Sequence, residues 1–235
     1  MKKLGILGGM GPESTLLYYK EIASRFQARE SHGAFPSLTI ECVNMYEMLG
    51  YCFSGQYEKL TQYLLKGIRN LEASQVDFII LASNTPHIVF DQLQKESNVP
   101  LLSILEPTFK AVKSQGLKKV AWLGIRFSME EPYFRKIFTQ NDIEVAIPNA
   151  EERAYIDTVI SKELEFGIVK EESKANIDHI LQRLITEEGI QGVILGCTEL
   201  PLMYTHSSLP IPTFDTVEYH IQGIIDHMFA KSGER

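Results

Sequence analysis

Lys2-Lys3-Leu4-Gly5-Ile6-Leu7-Gly8 and Lys118-Lys119-Val120-Ala121-Trp122-Leu123-Gly124 are two versions of one phrase: a lysine pair, a short apolar run and a glycine. A second pair follows in the same order, Ile79-Ile80-Leu81-Ala82-Ser83-Asn84-Thr85 and Val193-Ile194-Leu195-Gly196-Cys197-Thr198-Glu199. A looser third pair sets Val99-Pro100-Leu101-Leu102 against Leu209-Pro210-Ile211-Pro212. Matches in the same order at nearly constant separation point to two homologous halves. Each apolar run reads as a buried strand, and the amphipathic stretches between read as crossover helices, so the fold class is α/β with mostly parallel sheets.

The same reading extends along the chain. Strands are expected at 3–8, 37–43, 76–82, 100–104, 118–124, 143–147, 190–196 and 211–214. Helices are expected near 13–28, 56–73, 87–96, 106–115, 130–139, 151–165, 171–187 and 216–230. Pro12 and Pro107 suit first helical turns, and Gly116 and Gly189 suit helix ends.

Composition narrows the functions available. At 235 residues with 44% hydrophobic and 23% charged residues, the chain can bury a core and is not a disordered type. A net charge of −7 gives no basic field for nucleic acid or an anionic membrane, and neither partner is expected. No run approaches the ~20 apolar residues of a membrane span, and Met1-Lys2-Lys3 leads directly into a strand, so a cytoplasmic protein is expected. The three cysteines, Cys42, Cys52 and Cys197, lack C-x-x-C spacing, and free thiols are expected. No metal is expected, because the six histidines show no ligand-pair spacing.

Three segments carry chemistry. In Gly196-Cys197-Thr198-Glu199-Leu200 a thiol follows an apolar strand, which places Cys197 at the strand's carboxyl end beside the N–H groups of the next turn. That setting is expected to lower the thiol pKa toward neutrality and free the thiolate as base or nucleophile; a small buried hydrophobe is the alternative. In the matching half, Ser83, Asn84 and Thr85 offer hydroxyl and amide donors for a carboxylate, although Asn-Thr-Pro is also good turn chemistry. Gly8-Gly9-Met10-Gly11-Pro12-Glu13-Ser14 is a glycine-rich turn between strand and helix, an anion cradle that matches neither nucleotide fingerprint. Strand ends of open α/β sheets are where such folds hold ligands.

The sequence resembles the aspartate/glutamate racemase family over essentially its whole length. The resemblance rests on Gly5 to Thr15, Ser83-Asn84-Thr85-Pro86-His87, Leu123 to Glu130, and Gly196 to Leu200. It implies two similar α/β domains related by a pseudo-twofold axis, with the active site in the cleft between them. Because the chain crosses back late in that fold, the first domain is expected to span 1–102 plus 212–235 and the second 103–211. The implied activity is racemisation of an amino acid, aspartate or glutamate, without a cofactor. The implied assembly is a homodimer. Two thiols would flank the substrate α-carbon, one removing the proton and one returning it to the other face. Cys197 matches the second; the first falls on Ser83, which departs from the pattern. Serine there is either a native variation or an engineered replacement of cysteine, and the sequence leaves both open.

The remaining site residues follow from the same resemblance. Asn84, Thr85 and Thr198 are expected to hold the α-carboxylate, with Glu199 and Ser128 beside them, and Met10 and Met129 to exclude water. Aspartate-specific members are similar in carrying a basic residue near the position of Leu164, so Arg126 is the expected cation for an acidic substrate here. Two rival classes stay open: a decarboxylase or maleate-type isomerase on the same fold, and an amino-acid-binding homologue with impaired catalysis.

Overall fold

The computed structural model describes residues 1–30, 33–204 and 209–230. They form two compact units, residues 1–104 with those from His220 onward, and Leu105–Tyr219. The first unit contains β1 (Leu4–Gly8), α1 (Pro12–Arg29), β2 (Leu38–Cys42), α2 (Met45–Phe53), α3 (Tyr57–Ala73) and β3 (Phe78–Leu81). A 3-10 turn (Thr85–Val89) then runs into α4 (Phe90–Glu96), and β4 (Leu101–Leu102) completes the sheet. The second unit begins with α5 (Leu105–Ser114), β5 (Lys119–Leu123), α6 (Arg126–Glu130), α7 (Tyr133–Thr139), β6 (Glu144–Ala146) and α8 (Ala150–Lys162). After a 3-10 turn (Leu164–Phe166) come α9 (Glu171–Glu188), β7 (Val193–Leu195), α10 (Pro201–Tyr204), β8 (Thr213–Asp215) and α11 (Thr216–Phe229).

Each unit holds one four-stranded parallel sheet, ordered β2-β1-β3-β4 in the first and β6-β5-β7-β8 in the second. The inner strands carry unbroken apolar runs because helices cover both faces of a parallel sheet. β1, β3 and β7 are buried along their whole length, and β5 is buried from Val120 to Leu123. α3 buries Leu60, Leu64, Leu65, Ile68 and Leu71, the spacing of a single helical stripe. α8 starts at a capping box in which Asn149 and Glu152 satisfy each other's backbone N–H groups.

The internal repeat survives at the level of register. Ile6 pairs with Ile80 and Leu7 with Leu81 in the first sheet, while Trp122 pairs with Ile194 and Leu123 with Leu195 in the second. The third pair of segments needs correction, because Leu101 and Leu102 occupy the ladder positions of Thr213 and Phe214. Pro100 therefore corresponds to Pro212, not Pro210; the carbonyl of Pro100 accepts from Ile79 N–H at 2.9 Å, and that of Pro212 from Val193 N–H at 2.9 Å. The connection from β7 to β8 is two residues shorter than that from β3 to β4 and carries both Pro210 and Pro212, so matching prolines by eye slips by two residues.

The domain boundary also moves. β8 is bonded to β7, which keeps residues 213–219 with the second unit, and the return to the first unit falls at His220 rather than 212. The outward crossing falls after Ile104 rather than 102. Three helices were not expected, α2, α6 and α10. α2 had a readable signal: the Asn44 side chain accepts from Tyr46 and Glu47 N–H, and Met48 and Cys52 are buried one turn apart.

Candidate active site

At the carboxyl edge of the first sheet, the glycine turn is fixed by side chains from its own helix. Thr15 Oγ1 accepts from Gly9 N–H at 2.9 Å and donates to the Gly11 carbonyl at 3.0 Å. Gly9 has φ 76°, and a Cβ there would press into the Val43 carbonyl, so no other residue fits this bend. Ser14 Oγ donates to the Ala82 carbonyl at 2.6 Å and ties the turn to the end of β3. Met10, Ser83, Asn84 and Thr85 are all buried around this junction. His87, fully buried, donates from Nδ1 to the Ser83 carbonyl at 2.9 Å.

At the carboxyl edge of the second sheet, Cys197 stands half-buried just past β7. Gly196 precedes it because the Trp122 indole fills the space a Cβ would need. Cys197 Sγ donates to Glu199 Oε2 at 2.9 Å. Burial and the Glu199 carboxylate, with a smaller contribution from Glu165, push the thiol well above its ordinary range. This reverses the expected shift toward neutrality. A strand-end N–H does lower the thiol pKa, but two nearby carboxylates and the loss of water outweigh it, and the resting group is S–H.

The other expected site residues fall as follows. Ser128 is buried, donating to the Ile125 carbonyl at 3.0 Å and accepting from Trp122 Nε1 at 3.4 Å, and it occupies the space above Gly124. Met129 is fully buried. Arg126 donates from its backbone to Asp157 at 2.7 Å, while its exposed guanidinium pairs with Glu130 at 2.9 Å. Thr198 and Glu199 sit in the half-buried turn after Cys197. Leu164 is buried, and the next residue, Glu165, has its carboxyl pKa raised by burial, Glu199 and Asp157.

Two further features were missed. Cys197 is not the only thiol to end a strand, since exposed Cys42 closes β2 in register with Gly8. Glu165 carried no signal at all; a charged residue in a short turn acquires significance only from what folds beside it. The remaining thiol, Cys52, is buried, donates to Met48 Sδ at 3.6 Å, and has its pKa pushed up to about 12 by burial. No group of three or more histidine, cysteine, aspartate or glutamate side chains among the described residues could hold a metal. No helix among them is long and apolar enough to cross a membrane.

Thus two strand ends at equivalent ladder positions carry, respectively, a serine with amide and hydroxyl neighbours and a thiol with a carboxylate partner. The family model for Asp/Glu/Hydantoin racemases matches residues 7–224, which includes both strand ends. The chain belongs to the Asp/Glu/Hydantoin racemase family. Within this family it is 25% identical over 219 residues to the broad-specificity amino-acid racemase RacX of Bacillus subtilis, covering 91% of this chain and 92% of the relative. The crystal structure of an aspartate racemase homologue from Pyrococcus horikoshii is 35% identical with a TM-score of 0.86, covering 98% of this chain and all of that one (100%). A crystal structure from Yersinia pestis, described as a candidate Asp/Glu racemase, is 30% identical with a TM-score of 0.91 at the same coverage, 98% and 100%.

Proposed function

We infer that this racemase-family protein interconverts or exchanges the α-proton of a small amino acid, aspartate or glutamate first among them, using Cys197 as its working acid–base group and no added cofactor. The contact between Cys197 Sγ and Glu199 carries this reading. Glu199 accepts the thiol proton, the thiolate removes the substrate α-hydrogen as a proton, and the electron pair passes to the α-carboxylate as an enediolate. Returning a proton to the same face gives exchange; delivering one to the opposite face gives inversion. A thiolate beside Glu199 and Glu165 is costly alone, and the α-ammonium of a bound substrate supplies the compensating charge. Proton removal is thereby linked to substrate binding. Asn84, Thr85 and Thr198 are the donors proposed for the carboxylate.

The opposite face belongs to Ser83 by family resemblance. A neutral hydroxyl is a weaker base than a thiolate, so the two enantiomers are treated unequally. The enantiomer presented to Cys197 should exchange its α-hydrogen with heavy water faster than it inverts. NMR of exchange and chiral chromatography of inversion, run on both enantiomers of aspartate, glutamate and a set of neutral amino acids, test this. Exchange at one enantiomer well ahead of inversion supports the reading. Absence of exchange across the whole panel overturns it.

A further inference from the structure

Two buried histidines of the first unit stand in opposite tautomers, and their partners show which. The Ile104 N–H can only donate, so His87 Nε2 accepts from it at 3.1 Å and Nδ1 carries the proton given to the Ser83 carbonyl at 2.9 Å. The Leu102 carbonyl can only accept, so His220 Nε2 carries its proton toward it at 3.2 Å. His220 Nδ1 then accepts from the Tyr18 hydroxyl at 2.7 Å. Both rings are almost wholly buried, at 0% and 1% exposure. Burial holds His87 at about 4 and His220 at about 3, so both are neutral at pH 7.

The hydrogen-bonded groups form one path: Tyr18 on α1, His220 on α11, the backbone of Leu102 to Ile104, His87, then Ser83. Its middle coincides with the two places where the chain changes unit, since the first unit leaves off at Ile104 and resumes at His220. We propose that His87 and His220 are positioning residues: as a pair of fixed-tautomer spacers they set the Ser83-Asn84-Thr85 loop against both crossing segments. This rests on the functional reading above for its kinetic consequence, though not for its structural one. Because both nitrogens of each ring are bonded, neither ring can turn or change tautomer without breaking a buried hydrogen bond, and the loop is held to that geometry.

The test uses the full chain labelled with ¹⁵N. In the unmodified protein at pH 7, His87 should show a protonated Nδ1 and His220 a protonated Nε2; the same tautomer at both, or a titration near pH 6.5 at either, overturns the proposal. Tyr18→Phe removes a single hydroxyl and should leave the protein folded. It should move the Ser83, Asn84 and Thr85 amide resonances and raise KM for L-aspartate exchange at least about threefold, with kcat changed less. His87→Phe, which keeps the ring stacked on Phe90, should do the same more strongly. A lowered Tm with unmoved loop resonances in both variants would reduce the histidines to core filling and overturn the positioning role. If the unmodified protein exchanges no amino acid, the functional reading fails while the tautomers and loop resonances still decide this one.

Discussion

The loops after β3 and after β7 occupy equivalent ladder positions, yet one is neutral and the other carries a carboxylate. After β3, Ser83 is followed by amide, hydroxyl and a neutral buried imidazole, and the junction is sealed. After β7, Cys197 is followed by Thr198 and a carboxylate that takes its hydrogen bond, and the turn is half open. The packing beneath the loops diverges in step. Trp122 takes the place of Ile6 in the register, and the larger indole leaves room only for Gly196 where the first sheet holds Ala82. The two sheets share one strand order and register, a backbone frame set by long-range strand pairing. Only side chains at the strand ends were left to divide the chemistry.

If the second loop holds the only working thiol, removing it should have the largest effect. Cys197→Ala is expected to lower α-proton exchange by about 10²–10⁴ or more in a folded protein, as loss of a positioned acid–base group does. Cys42→Ala should leave exchange within about twofold, because a sound surface substitution rarely matters more. NMR in heavy water measures both. A collapse of activity in Cys42→Ala would relocate the second acid–base group to the end of β2 and break the comparison as drawn.

A smaller effect should come from making the loops alike. Ser83→Cys restores a thiol at the first strand end and is expected to raise inversion toward the exchange rate, by about 10² if the hydroxyl is as mismatched as its acidity implies. Exchange at Cys197 should change little. Equal exchange and inversion rates in the unmodified protein, with no gain in the variant, would show Ser83 to be a competent partner or to stand outside the reaction.

A further effect concerns stability in acid and separates the loops by titration. His87 and His220 are neutral in the fold, with pKa values lowered to about 4 and about 3, whereas the unfolded chain binds protons there from about 6.5 downward. The unfolded state therefore holds more protons in that window. The stability these groups contribute is complete above about pH 6.5 and declines as pH falls toward about 4 and then about 3. Urea midpoints measured from pH 7.5 to 4.5 should fall steadily, with Ser83–Thr85 amides losing exchange protection before the sheet does. A flat midpoint across that range would remove the histidines from the account.

The eight strands among the described residues, the α/β class, the repeat and the two loops carrying Ser83 and Cys197 were legible in the sequence. Apolar runs, glycines and caps act over a few residues, and their physical demands are local. The family could be read for the same reason, since its motifs are contiguous strand-end segments.

What only the tertiary structure decided depends on residues distant in sequence. The thiol's pKa was expected to fall and instead rises, because packing strips water from Cys197 and leaves it against the Glu199 carboxylate, with a smaller contribution from Glu165 on a separate turn. His87 and His220 take their tautomers from backbone groups of Leu102 and Ile104 and from Tyr18, none of which announces a partner in the sequence. The return of the chain at His220 was fixed by β8 adding to β7, a pairing whose register depends on the neighbouring strand rather than on the prolines before it. Sequence sets what each segment can form; charge, protonation and unit boundaries are set by which segments the fold brings together, since Coulomb and desolvation energies depend on distance in space.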